Sequence, residues 1–147
     1  MLFIGLKNIA TQDIGVDETI NLGTVYRKFD KRGATCGRFA FSTDSASLTL
    51  QQKGMYHVTA VVTFTAPATG DITFQLFENG TAIDGAIATN TIATATTEFI
   101  TTTLDYYVLV DNVSVLGSPI AQKVITLVNT GLASTIDNVV FNVEKVV

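Results

Sequence analysis

The stretch KGMYHVTAVVTFTAPATGDITFQLFENGTAI, residues 53–83, decides the fold class. In its first half Tyr56, Val58, Ala60, Val62 and Phe64 alternate with Met55, His57, Thr59, Val61 and Thr63. A period of two puts each set on its own face of a strand, and the first set is apolar enough to face a core. The second set is mixed, neither oily nor charged. Pro67 and Gly70 in APATG mark a loop. Ile72, Phe74 and Leu76 then share a face, with Thr73, Gln75 and Phe77 opposite. Asn79-Gly80 follows, and both residues tolerate the positive φ of a type I′ hairpin turn.

The same alternation recurs on either side. Upstream, residues 3–9 predict a short first strand and Gly15 a turn. Residues 19–29 predict one strand with Ile20, Leu22, Thr24, Tyr26 and Lys28 on a common face. RFAFSTDSASLTLQQKG predicts two short strands around a polar turn, with Phe39 and Phe41 on one face, then Leu48 and Leu50. Downstream come a weaker strand around Ile83, Gly85, and a Thr/Ala-rich connection. Residues 99–110 read as one long strand and residues 123–128 as another, with a turn at NTGLAS. The closing IDNVVFNVEKVV sets Val139, Phe141 and Val143 against Val140, Asn142, Glu144 and Val146. Strands spaced by roughly eight to twelve residues suit a β-sandwich or jelly roll.

Composition agrees. Of 147 residues, 47% are apolar and only 15% charged, which argues against disorder. Abundant Thr, Val and Ile favour a pleated surface over helices. The expectation is an all-β sandwich of eight to ten strands in one domain, 1–147, with no internal repeat.

The charge is uneven. Arg27, Lys28, Lys31, Arg32 and Arg38 cluster around Asp30. From Gly54 onward only Lys123 and Lys145 oppose Asp71, Glu78, Asp84, Glu98, Asp105, Asp111, Asp137 and Glu144. Such a basic patch docks on an acidic partner or simply protects a loop or edge strand from aggregation. A net charge of −4 argues against nucleic acid as the main partner. The N-terminal run MLFIGLKNIA lacks a basic leader and is too short for a signal peptide core, and no segment approaches a membrane span. The expectation is a protein made in a cytoplasm, not inserted in membranes, that leaves the cell only within an assembled particle.

Catalytic chemistry finds little material. Cys36 is the only cysteine and His57 the only histidine, too few for a triad or a zinc site. No Asp-rich calcium loop and no phosphate-binding glycine motif is present. Carboxylate pairs assembled from distant strands remain open, without an aromatic sugar cleft beside them. No cofactor, metal or catalytic residue is assigned, and an enzyme is not expected. Surface remains. A sheet that packs on copies of itself wants uncharged, moderately apolar outer faces, whereas a face kept in water wants Lys and Glu. Met55, His57, Thr59, Val61 and Thr63 make one such face, and Thr101, Thr103 and Tyr107 another.

In order, LTLQQKGMYHVTAVVTF, GDITFQLFENGTAIDGA and VVFNVEKV resemble the jelly roll shared by tumour necrosis factor and the globular heads of complement-component-type proteins. The G-x-Y-x-V strand of that family is matched here by Gly54, Tyr56 and Val58, and its hairpin by Asn79 and Gly80. The chain is more closely similar to small phage and bacterial relatives, through TQDIGVDETINLGTVYRKF, Gly85-Ala86 and Val143-Glu144-Lys145. The resemblance implies a ten-strand TNF-like jelly roll that trimerises about a threefold axis through its inner sheet. It also implies a virion surface protein of the capsid decoration or head-fibre kind, located on the virion. The chain has no collagen-like stalk and no acidic loop for calcium at a trimer apex. On this reading Met55, His57, Thr59, Val61, Thr63, Thr101, Thr103, Tyr107, Asn142 and Val146 line the homotrimer. Arg27, Lys28, Lys31, Arg32 and Arg38 dock on a phage capsid or other virion protein, and the N-terminal strands or arm of residues 1–35 serve the attachment. The alternative is an adhesion module of a phage tail or bacterial surface. It would bind a host-surface glycan or receptor through TAPATG and ATNTIATATTE.

Overall fold

Wherever the apolar residues alternate, the chain is extended and buries one side. In the computed structural model, residues 2–29, 39–41, 44–111 and 122–147 are described. Among them run β1 (Leu2–Asn8), β2 (Gln12–Ile14), β3 (Glu18–Thr19), β4 (Thr24–Phe29), β5 (Phe39–Phe41) and β6 (Leu48–Leu50). The longer strands follow: β7 (Gly54–Ala66), β8 (Gly70–Glu78), β9 (Thr81–Ile92), β10 (Thr96–Val110), β11 (Lys123–Asn129) and β12 (Ser134–Lys145).

Two antiparallel sheets result. The first has the order β10-β7-β12-β1-β4, with β2 paired to β12; the second has β5-β6-β11-β8-β9, with β3 paired to β11. The ten strands on these two paths are the jelly roll that the sequence predicts. Chain neighbours β7 and β8 lie in different sheets, as do β9 and β10, and β11 and β12. Sequence-distant strands are therefore adjacent, which is how a jelly roll closes its core. β1 is held between β12 and β4 rather than at an edge.

The register follows from burial. Tyr56, Val58, Ala60, Val62 and Phe64 are all fully buried. Slipping β7 by one residue would send them all to solvent. Small and large side chains alternate across strands: Ala60 lies between Phe141 and Leu104 in the ladder. Phe64 of β7 meets Phe74 of β8 edge-to-face at 5.2 Å, and Tyr56 meets Phe39 at 6.0 Å, so aromatic pairs bridge the two sheets. The Tyr56 hydroxyl donates to the Gln52 carbonyl at 2.7 Å, which satisfies the polar tip of a buried ring. At the β8–β9 turn Asn79 and Gly80 have φ of 51° and 79°, the positive pair that a type I′ turn requires.

One predicted strand divides. Residues 19–29 do not form a single ribbon with Ile20, Leu22, Thr24, Tyr26 and Lys28 on one face. The chain passes from β3 in the second sheet to β4 in the first, and Ile20 and Leu22 are buried while Thr24, Tyr26 and Lys28 are exposed. Ile20 N–H donates to the Leu127 carbonyl and Leu22 N–H to the Ser45 carbonyl, so these residues cross the sandwich instead of continuing one ladder. Asn21 steers the crossing. Its side-chain oxygen accepts from Gly23 N–H at 2.8 Å, and its backbone exchanges hydrogen bonds with the Gln12 amide. A local alternation signal cannot see a change of sheet. The Thr/Ala-rich connection also differs, because β9 runs through to Ile92 and β10 begins at Thr96.

Candidate functional site

The first sheet turns its inner side to the core and leaves its other side open. On β7 that open side carries Met55, His57, Thr59, Val61 and Thr63, with Met55 exposed and the rest half-buried. The β10 register places Leu109 beside Met55, Tyr107 beside His57, Asp105 beside Thr59, Thr103 beside Val61 and Thr101 beside Thr63. On the other flank β12 sets Glu144 beside His57, Asn142 beside Thr59 and Val140 beside Val61. Val146, just past β12, donates its N–H to the Met55 carbonyl at 2.8 Å. Every residue expected at the self-association interface thus falls on this one face.

Further residues complete it. β1 adds Phe3 beside Glu144 and Gly5 beside Asn142. β4 adds Phe29 beside Phe3 and Arg27 beside Gly5, with a register shift after Gly5. That bulge brings Tyr26 onto the same face as Arg27. The Tyr26 ring covers Gly5, where a Cβ would stand only 2.6 Å from its Cε1 and Cζ. Its hydroxyl donates to Asn142 Oδ1 at 2.7 Å, and the Lys7 ammonium sits 5.9 Å from the ring centroid. Nothing in the spacing of residues 19–29 announces this, because the bulge depends on the pairing of β4 with β1.

At the β7–β10 seam His57 Nε2 lies 2.6 Å from Asp105 Oδ1, and the imidazole stacks on Tyr107 with centroids 4.8 Å apart. Thr63 and Thr101 hydroxyls share a hydrogen bond of 3.0 Å. His57 is thereby an oriented surface side chain with an acidic partner. No nucleophile stands beside it among these contacts. Asp105 was missing from the sequence expectation, although its place in the alternation of residues 99–110 puts it between Thr103 and Tyr107. The face as a whole is an aromatic and aliphatic band near the chain termini, grading into threonines and small aliphatics toward Thr101.

The basic cluster is only partly described. Arg27 and Lys28 are exposed on β4; Lys31, Arg32, Arg38 and Cys36 lie outside the described residues. Alternation separates the two described cations. Arg27 is on the open face with Phe3 and Phe29, whereas Lys28 pairs with Ile4 and belongs to the opposite side of the strand. At the other end of the sandwich, a cleft of about 390 Å³ is lined by Asp13, Gly15, Glu18, Pro67, Ser134 and Thr135 among others. There Thr135 donates to Asp13 Oδ1 at 2.8 Å and Gly15 N–H to Glu18 Oε2 at 2.7 Å. Among the described residues no group of three or more His, Cys, Asp or Glu is placed to hold a metal ion. Among them, too, no helix is long and apolar enough to cross a membrane.

Comparison with known proteins defines the class of fold. No family model matches the chain, and no curated protein matches it in sequence. Solved structures do. The chain is similar to the globular domain of zebrafish complement 1qA, with a TM-score of 0.64 at 7% identity over 100% of this chain and 98% of that one. It is similar to rabbit GITRL, with a TM-score of 0.58 at 15% identity over 100% and 95%. It is also similar to vertex protein P5 of PRD1, with a TM-score of 0.61 at 14% identity over 99% and 97%. The fold is a jelly roll of the TNF-like and C1q-like type.

Proposed function

We propose that this chain is a non-enzymatic phage structural protein, a homotrimer of the capsid decoration or head-fibre type on the virion surface. The observation that carries the reading is the open face of the first sheet. It spans five strands, gathers aromatic, aliphatic and hydroxyl side chains, and holds few charges near its centre. An exposed face of that composition favours burial against another protein surface over permanent hydration. The likeness to a vertex protein of PRD1 supports a virion role, and the jelly-roll resemblance supports three copies about one axis. Of the five cations expected to dock, Arg27 lies on the open face, and Lys28, Lys31, Arg32 and Arg38 serve as the docking set toward the particle. Three copies multiply a weak docking contact by avidity, so no single residue need bind tightly.

Sedimentation equilibrium of the purified chain tests the assembly, and the expected mass is three times the protomer's 15.7 kDa. A stable monomer removes the reading. Reversing the charges of Lys28, Lys31, Arg32 and Arg38 together is expected to strip the protein from particles without altering its circular dichroism; unchanged occupancy sinks the docking role.

One observation favours a second reading, a glycan- or receptor-binding adhesion module. The cleft between Asp13, Glu18 and Thr135 offers carboxylates and hydroxyls, and Pro67 of the TAPATG loop forms part of its wall. Ser134 Oγ, buried beside it, has no hydrogen-bond partner among the described residues. A glycan array separates the two readings, because the adhesion module requires a sugar signal that D13N and E18Q abolish.

A further inference from the structure

Charge and shape run across the open face in one direction. On its β4 side, Arg27 borders a hollow of about 320 Å³ whose walls, among the described residues, also include Phe3, Phe29 and Glu144. On its β10 side, Asp105 and Tyr107 stand out, the Asp105 side chain 60% exposed and Tyr107 55% exposed. His57 engages only Oδ1 of that carboxylate among the described contacts, and its ring props Tyr107 in place by stacking. β4 and β10 are the two ends of the sheet, with three strands between them. An aromatic-walled hollow bordered by both Arg27 and Glu144 therefore lies on one side, with Arg27 at the β4 end, and an anion beside an exposed aromatic ring lies at the other end. The complementary ends are too far apart in the sheet order to meet within one molecule.

We infer that they meet between copies: β10 of one copy lies across the β1–β4 side of the next, with Tyr107 seated between Phe3 and Phe29 and Asp105 facing Arg27. The occupant of the hollow is a second copy of this chain. Contacts between like ends are disfavoured, since a twofold axis at β10 would set Asp105 against Asp105, and one at β4 would set Arg27 against Arg27. A contact between two different patches is head-to-tail, and it closes into a ring only when the rotation between copies allows it. A ring of three is the closure adopted above, and the inference rests on that reading. It also divides the basic cluster by role. Arg27 serves assembly, while Lys28, on the other side of β4, is left for the particle.

Charge exchange tests the contact in the full-length chain by sedimentation velocity across a concentration series. R27E and D105R are each expected to weaken assembly about tenfold or more, because each places like charges together. The R27E/D105R double variant is expected to recover wild-type assembly to within about threefold, since the pair is restored with its signs exchanged. D84R, an equal change of charge on exposed Asp84 of β9, is expected to leave assembly unchanged. Circular dichroism of each variant separates lost assembly from lost folding. As an independent readout, a photo-crosslinking benzoylphenylalanine at position 107 is expected to join peptides carrying Phe3 or Phe29 of another copy. Crosslinks to β10 of the other copy overturn the head-to-tail arrangement. A wild-type trimer indifferent to both charge reversals overturns this contact and leaves the trimer standing. A wild-type chain that sediments as a monomer throughout overturns the trimer reading and this contact together.

Discussion

Gly23 has φ of +80° at the point where the chain enters β4, and a Cβ built on it would run into the Lys7 carbonyl. A Cβ there meets both a strained backbone conformation and the neighbouring strand. Gly23→Ala is expected to cost roughly 3 kcal/mol in urea unfolding, and a loss below 0.5 kcal/mol (about the spread of neutral surface changes) contradicts the assignment. Phe64 is fully buried and braced by Phe74 at 5.2 Å. Phe64→Ala is expected to cost about 3–5 kcal/mol, as cavity-forming losses of buried rings do. Gly5 acts differently. Its missing side chain makes room for the Tyr26 ring, so a valine at position 5 is expected to displace Tyr26 and break its hydroxyl bond to Asn142.

At the scale of the strand, β7 presents two faces with opposite demands. Val62 is fully buried and Val61 half-buried, one residue apart. Val62→Glu puts an unpaired carboxylate in the core and is expected to prevent folding. Val61→Glu puts the same charge on the open face between Thr103 and Val140. It is expected to leave the circular dichroism unchanged while light scattering falls toward the 15.7 kDa protomer mass. Undiminished assembly in Val61→Glu shows that β7 is not buried between copies. The strand pairing explains why the two neighbours differ, since a pleated strand gives adjacent residues opposite environments.

At the scale of the whole molecule, an assembled native state binds copies of itself and its unfolded state does not. The melting temperature is therefore expected to rise with protein concentration, by mass action. A melting temperature constant over a hundredfold concentration range speaks for a monomer. The two sheets close on each other chiefly through side chains that the sequence marks plainly. The proposed assembly surface is the outer side of one of them, and its members come from β4, β1, β12, β7 and β10.

Alternation, the Asn-Gly turn and the low charge made the all-β class, the buried face of residues 56–64 and the mixed face opposite it legible in the sequence. These are local properties, because a strand's period and a turn's φ depend on a few adjacent residues. The side-by-side placement of His57, Asp105 and Glu144 was not legible, nor was the Tyr26 bulge over Gly5 or the crossing at residues 20–23. Each depends on which strand lies next to which, and in what register. The sequence by itself determined that residues 55–64 would bury one face and expose one that is neither oily nor charged. Only the tertiary structure decided that the exposed face joins four other strands, with a cation at one end and an anion at the other. Pairing between strands far apart in the chain is set by closure of the common core, and no local pattern encodes it.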